Sequence, residues 1–181
     1  MFSIILSVLS SLSPISTPNC VEPDSLSSQN SADIIEAESL REKFRQMMEL
    51  KNGVGSVASD FHFITREGNE SSLHSFTPDK DILLIFYDPD CDDCHAAIDS
   101  ISNANLVEKY EILAIDSEED RQRWEQTASS LPEGWTVGFA TDPIQEDETY
   151  YILSMPTIYL LDKNKTVLLK DTTLDKVSKY N

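Results

Sequence analysis

One stretch restricts what this chain can fold into more than any other: Asp81 to Ala97, DILLIFYDPDCDDCHAA. Ile82 to Tyr87 is an unbroken run of six apolar residues bounded by Asp and Pro, the pattern of a strand buried on both faces. From Cys91 the period changes. Cys94, Ala97, Ile98 and Ile101 recur at spacings of three and four, so the chain passes into an amphipathic helix whose first turn carries two sulfurs. A helix N-terminus presents unsatisfied N–H groups and a partial positive charge, which favour a thiolate there.

Around this stretch, helices alternate with strands. Ala37, Leu40, Phe44, Met47 and Met48 share one face of a helix, with Asp33 and Glu36 in capping-box relation and Gly53 placed to end it; the paired Met residues are expected as core contacts, and the sequence leaves open whether the helix packs on the domain or meets a partner. Val57, Phe61 and Phe63 alternate, and Arg66-Glu67-Gly68-Asn69 makes a turn towards Leu73 and Phe76, which predicts a hairpin. Glu111 to Asp116 is a second short strand, followed by a helix starting at Ser117-Glu118-Glu119-Asp120 with Trp124 on its buried side. Trp135 to Ala140 is another strand, and a brief helix is expected from Pro143 through Tyr150, Tyr151 and Leu153. The chain closes with a hairpin, Thr157 to Leu161 and Thr166 to Lys170, and a short helix from Leu174 to Tyr180. This order specifies an α/β fold of three layers, α/β/α, with a mixed central sheet, an N-terminal β-hairpin and an extra N-terminal helix.

The 181 residues suffice for one ordinary domain. A net charge of −18 argues against nucleic-acid or anionic-membrane partners, which need a basic face. Met1 to Ser16 opens with an apolar run and carries no charged side chain, so residues 1–19 read as a signal-peptide-like segment, although without the usual Lys or Arg. It is too short and interrupted to span a membrane. Export to the periplasm or cell envelope is the expectation, with Cys20 a candidate lipid anchor if processing falls before it. Residues 20–53 then form a linker and the N-terminal helix, the linker lacking periodicity up to about residue 32, and 54–181 form the main domain.

By itself, Cys91-x-x-Cys94 fits a dithiol/disulfide couple, half of a zinc site or, with His95 next, covalent haem attachment. Zinc lacks a second ligand pair. Haem, with His95 and Met155 as axial ligands, suits mostly helical domains rather than a motif following an apolar strand. The dithiol is supported by Met155-Pro156-Thr157, where a proline about sixty residues downstream enters a strand and is placed to face the sulfurs in a cis peptide. No metal and no cofactor beyond a redox-active disulfide is then required.

At this point the chain resembles a known family. Strand, C-x-x-C at a helix N-terminus, strand, helix, x-Pro-Thr, hairpin and final helix look like the thioredoxin fold. Val57-Ala58-Ser59-Asp60-Phe61 and the hairpin at Arg66-Glu67-Gly68 are similar to the N-terminal extension of the TlpA/ResA-like envelope thioredoxins. The similarity covers roughly residues 54–181. It implies a thiol–disulfide oxidoreductase with Cys91 as exposed nucleophile, Cys94 as buried resolving thiol, and Met155, Pro156 and Thr157 as the loop against which a substrate segment lies. Its partners would be disulfide or dithiol proteins and an upstream thiol–disulfide electron donor. A redox-inactive binding or adaptor module on the same fold is the alternative.

The chain also departs from that family. Asp90 replaces the Trp that commonly precedes the first cysteine, and Ile85 occupies the position of a buried acid. Asp92 and Asp93 lie between the cysteines, so Asp88, Asp90, Asp92 and Asp93 surround the sulfurs and oppose the thiolate. With His95 beside them, these acids are the expected tuning residues and point to a reducing rather than an oxidising couple. Asp90 serves equally as the helix N-cap, with Asp93 three residues on.

Overall fold

The computed structural model describes residues 23–118, 120–145 and 149–180, with side chains from Asp33 onward. The signal-like segment and Cys20 lie outside the described residues. The chain divides into two units, Met1–Lys43 and Phe44–Asn181. In the first, the described residues are helical: helix α1 spans Pro23–Leu50 and continues into the second unit. It begins ten residues before the expected start at Asp33, with Pro23 at its first position, where a missing N–H costs nothing. Asp33 and Glu36 are therefore interior residues and not a capping box.

Of the two methionines expected as core contacts, Met48 is half-buried and Met47 is 48% exposed, while Phe44 meets the Tyr151 ring edge-on at 5.8 Å. Helical periodicity reports a stripe of apolar side chains, not what covers it. The helix ends before Asn52, which takes the left-handed conformation (φ 51°) expected of Gly53. Asn52 then ties the exit into the second unit, its Oδ1 accepting from Ser59 N at 2.7 Å and its Nδ2 donating to Thr149 O at 2.9 Å.

The second unit is a seven-stranded mixed sheet: β1 His62–Thr65, β2 Glu70–Ser72, β3 Asp81–Tyr87, β4 Tyr110–Asp116, β5 Thr136–Ala140, β6 Thr157–Leu161 and β7 Val167–Leu169. Their spatial order is β2-β1-β5-β4-β3-β6-β7. β3, β4 and β5 run parallel, and β1, β2, β6 and β7 each pair antiparallel with their neighbours. Only β3 and β4 pair along seven successive residues, Asp81 with Tyr110 through Tyr87 with Asp116. The N-terminal hairpin starts later than the Val57 alternation suggests. Val57 is 60% exposed and forms a single bridge to Thr166, while Phe61 is buried just ahead of β1.

Alternation along β3 divides the interior. Leu83, Ile85 and Tyr87 face one core with Cys94 and Ile101 of α2 (Asp92–Asn103), Trp124 of α3 (Arg121–Thr127) and Val177 of α4 (Leu174–Lys179). Ile82, Leu84 and Phe86 face a second core with Phe61, Phe63, Leu73, Tyr150 and Tyr159. There Phe86 and Tyr150 have ring centroids 4.9 Å apart, and Tyr150 Oη donates to Ser59 O at 2.7 Å. The described part of the 143–153 stretch is turn, bend and irregular chain rather than the expected helix, yet Ile144 and Tyr150 are 1% and 0% exposed. Pro143 and the lack of a continuous apolar face leave burial to those two side chains. No helix among the described residues is long and apolar enough to cross a membrane.

Candidate active site

β3 delivers the chain to its C-terminal edge, and Asp88-Pro89-Asp90 turns it into α2. The turn is fixed locally: Asp90 N donates to Asp88 Oδ1 at 2.8 Å and Cys91 N to Asp88 O at 3.1 Å. The N-cap is Cys91, not Asp90. Its backbone is extended and its Sγ accepts from Cys94 N at 3.2 Å. The sulfur takes the place an aspartate oxygen would otherwise hold, so the orphan N–H of the first turn points at the nucleophile candidate.

The two sulfurs differ in surroundings. Cys91 is partly exposed, whereas Cys94 is 0% exposed, and both are thiols. Burial, reinforced by the neighbouring Cys91 and opposed by a hydrogen bond with the Asp88 backbone, pushes the Cys94 thiol up to about 12. Cys91 Sγ donates to Met155 O at 3.6 Å, across 64 positions of sequence. The Met155–Pro156 peptide is cis, and Thr157, buried at the start of β6, donates from Oγ1 to Ser154 O at 2.7 Å. Cys91, Cys94 and the Met155-Pro156-Thr157 loop thus converge at one edge of the sheet. His95 is exposed and turned to the preceding loop, its Nε2 donating to Pro89 O at 2.8 Å. Among the described residues no cluster of three or more His, Cys, Asp and Glu side chains is arranged to hold a metal ion.

The aspartates do not form an unrelieved ring. Arg123 of α3 places Nη2 2.9 Å from Asp88 Oδ1 and 2.5 Å from Asp90 Oδ2. Asp92 and Asp93 are exposed in the first turn of α2. Arg123 follows Cys91 by 32 positions on another helix, and no spacing in the sequence connects them. Asp116 ends β4, with no sequence motif marking it as part of the site. Its side chain is 2% exposed, beside Tyr87 across β3 and β4. Burial raises its carboxyl to about 6, with the Asp88 and Glu118 charges acting in the same direction. The Glu118 N–H, which donates to Oδ1 at 2.9 Å, and Arg123 oppose the shift. Tyr87 in turn is held above the usual phenol range by burial and the charge of Asp116. An acid ending an otherwise apolar strand was the one available signal.

No protein-family model and no curated protein matches the chain. Solved structures do. A conserved protein of unknown function from Bacteroides fragilis shares 34% identity at a TM-score of 0.66, over 71% of this chain and 98% of that one. A thioredoxin-like protein from Bacteroides caccae shares 32% at 0.72, over 80% of this chain, which spans 55% of the length of that protein. The thioredoxin domain of a thiol-disulfide oxidoreductase from Bacteroides vulgatus matches at 0.60 with 22% identity, over 70% and 94% of the two chains. The fold is the thioredoxin-like one of these neighbours.

Proposed function

We propose that the protein is a thiol–disulfide oxidoreductase that exchanges its Cys91/Cys94 dithiol with protein disulfides in the cell envelope, acting as a reductant. One observation carries the reading: a partly exposed Cys91 caps α2 within 3.6 Å of the Met155 carbonyl, with a fully buried Cys94 one turn on. The Cys91 thiolate attacks one sulfur of a substrate disulfide and forms a mixed disulfide, and the other substrate sulfur leaves as a thiolate that takes a proton. Cys94 then loses its proton and attacks the Cys91 sulfur. The intramolecular disulfide forms, the second substrate thiolate leaves, and two electrons have passed to the substrate. An upstream dithiol restores the reduced protein. Met155, Pro156 and Thr157 supply the surface against which the substrate segment lies.

The acids of the first α2 turn support the reducing direction, since carboxylates near a sulfur disfavour its thiolate and thereby the dithiol state. The apolar Met1–Ser16 segment supports the envelope location. Insulin reduction with dithiothreitol tests the reading. Thiol-dependent precipitation of the insulin B chain is expected, and it should disappear in Cys91→Ser. Absence of catalysis in the unmodified protein would instead assign the fold to an adaptor.

A further inference from the structure

Acids outnumber Lys and Arg thirty-two to fourteen in this chain, and one arginine serves two of the acids that lead into Cys91. The arrangement is built rather than incidental. Trp124, next in sequence to Arg123, is 3% exposed in the core and fixes the rotation of α3, whose first turn is capped by Asp120 through Arg123 N at 3.0 Å. The Arg123 and Asp88 side chains are each only 29% exposed, which limits solvent screening, while Asp90 at 76% holds the outer end. Asp88 also accepts the Asp90 and Cys91 N–H groups through its carboxylate and carbonyl, so its charge is rigidly placed relative to the sulfur.

We propose that Arg123 is a positioning residue for Cys91: by pairing with both Asp88 and Asp90 and offsetting one of their two charges it sustains the thiolate that attacks the substrate. The charged groups around this turn are Asp88 and Asp90 in it, Asp92, Asp93 and His95 on α2, Asp116 and Glu118 at the end of β4, and Arg123 on α3. Arg123 is the one fixed cation among them. Losing it returns two uncompensated carboxylates to the nucleophile's own turn. The role rests on the oxidoreductase reading, but the two are tested separately.

The test is the rate at which neutral iodoacetamide alkylates Cys91 in the reduced full-length protein at pH 7 and low salt, read by peptide mass. Alkylation requires the thiolate, and the neutral reagent adds no charge effect of its own. One unit charge about 6 Å away at an effective dielectric of roughly 40–80 changes the thiolate fraction by about three- to tenfold. Arg123→Gln should slow alkylation by that factor, and Arg123→Lys by clearly less. Asp88→Asn with Asp90→Asn should speed it, and the slowing by Arg123→Gln should shrink at about 0.5 M salt, as a charge effect does. An unchanged rate in folded Arg123→Gln would overturn the proposal. So would a slowing by Arg123→Gln that salt leaves unchanged, which would make the arginine a structural staple alone. If the unmodified protein fails to reduce insulin, it is the oxidoreductase reading that falls.

Discussion

Cys91 and Cys94 share one turn of helix and differ in what surrounds them, and their division of labour follows from that. A thiol pushed up to about 12 by burial stays protonated at neutral pH, so Cys94 cannot initiate exchange. Cys94→Ser should accumulate a mixed disulfide between Cys91 and substrate, detectable as a mass adduct on non-reducing gels, whereas Cys91→Ser should form none. Asp116 permits a second test at this scale. Its folded carboxyl keeps a proton up to about 6, against an ordinary value of 3.8. Between those values the native state binds more protons than the unfolded chain, so stability falls as pH rises through the window. Above it the full penalty persists. Asp116→Asn, which cannot ionise but keeps an acceptor for Glu118 N, should be the more stable by about 1–3 kcal/mol at pH 7. Below pH 4 the two proteins should converge in denaturant titrations.

Among the elements, β3 was legible because six consecutive apolar residues allow little else than a central strand, and α2 because its period changes at the first cysteine. The meeting of Pro156 with the cysteines was legible from a proline at a strand entry. Other features depend on tertiary context. Asp90 and Cys91 compete for the cap, and only the Asp88 turn decides for the sulfur. The face of α1 looks like any core-facing helix until its neighbours are known. Arg123 reaches the site because Trp124 beside it is buried, a long-range fact with no local signature. Gly138 in β5 is a further case: a Cβ there would lie 2.7 Å from Phe63 Cδ2 and 2.9 Å from Ile115 Cδ1. Gly138→Ala should therefore cost about 1–3 kcal/mol by overpacking, measured as a lower denaturation midpoint at unchanged slope.

For the molecule as a whole, the net charge of −18 sets which reagents approach the sulfurs easily. Reduced protein should react several-fold faster with cationic cystamine than with anionic oxidised glutathione at about 10 mM salt. The ratio should shrink towards that of a small-molecule thiol by about 0.5 M. Equal salt sensitivity for both disulfides would mean that the acidic surface does not act at the site. All of these expectations depend on Cys91 and Cys94 forming one reversible couple. The most direct measurement is the equilibrium of the full chain in dithiothreitol and glutathione buffers, with thiols trapped by alkylation. The account requires a single two-electron transition confined to these cysteines, with a midpoint closer to the roughly −270 mV of thioredoxin than to the roughly −120 mV of DsbA. A pair that shows no reversible transition, or one poised near the DsbA value, would contradict it.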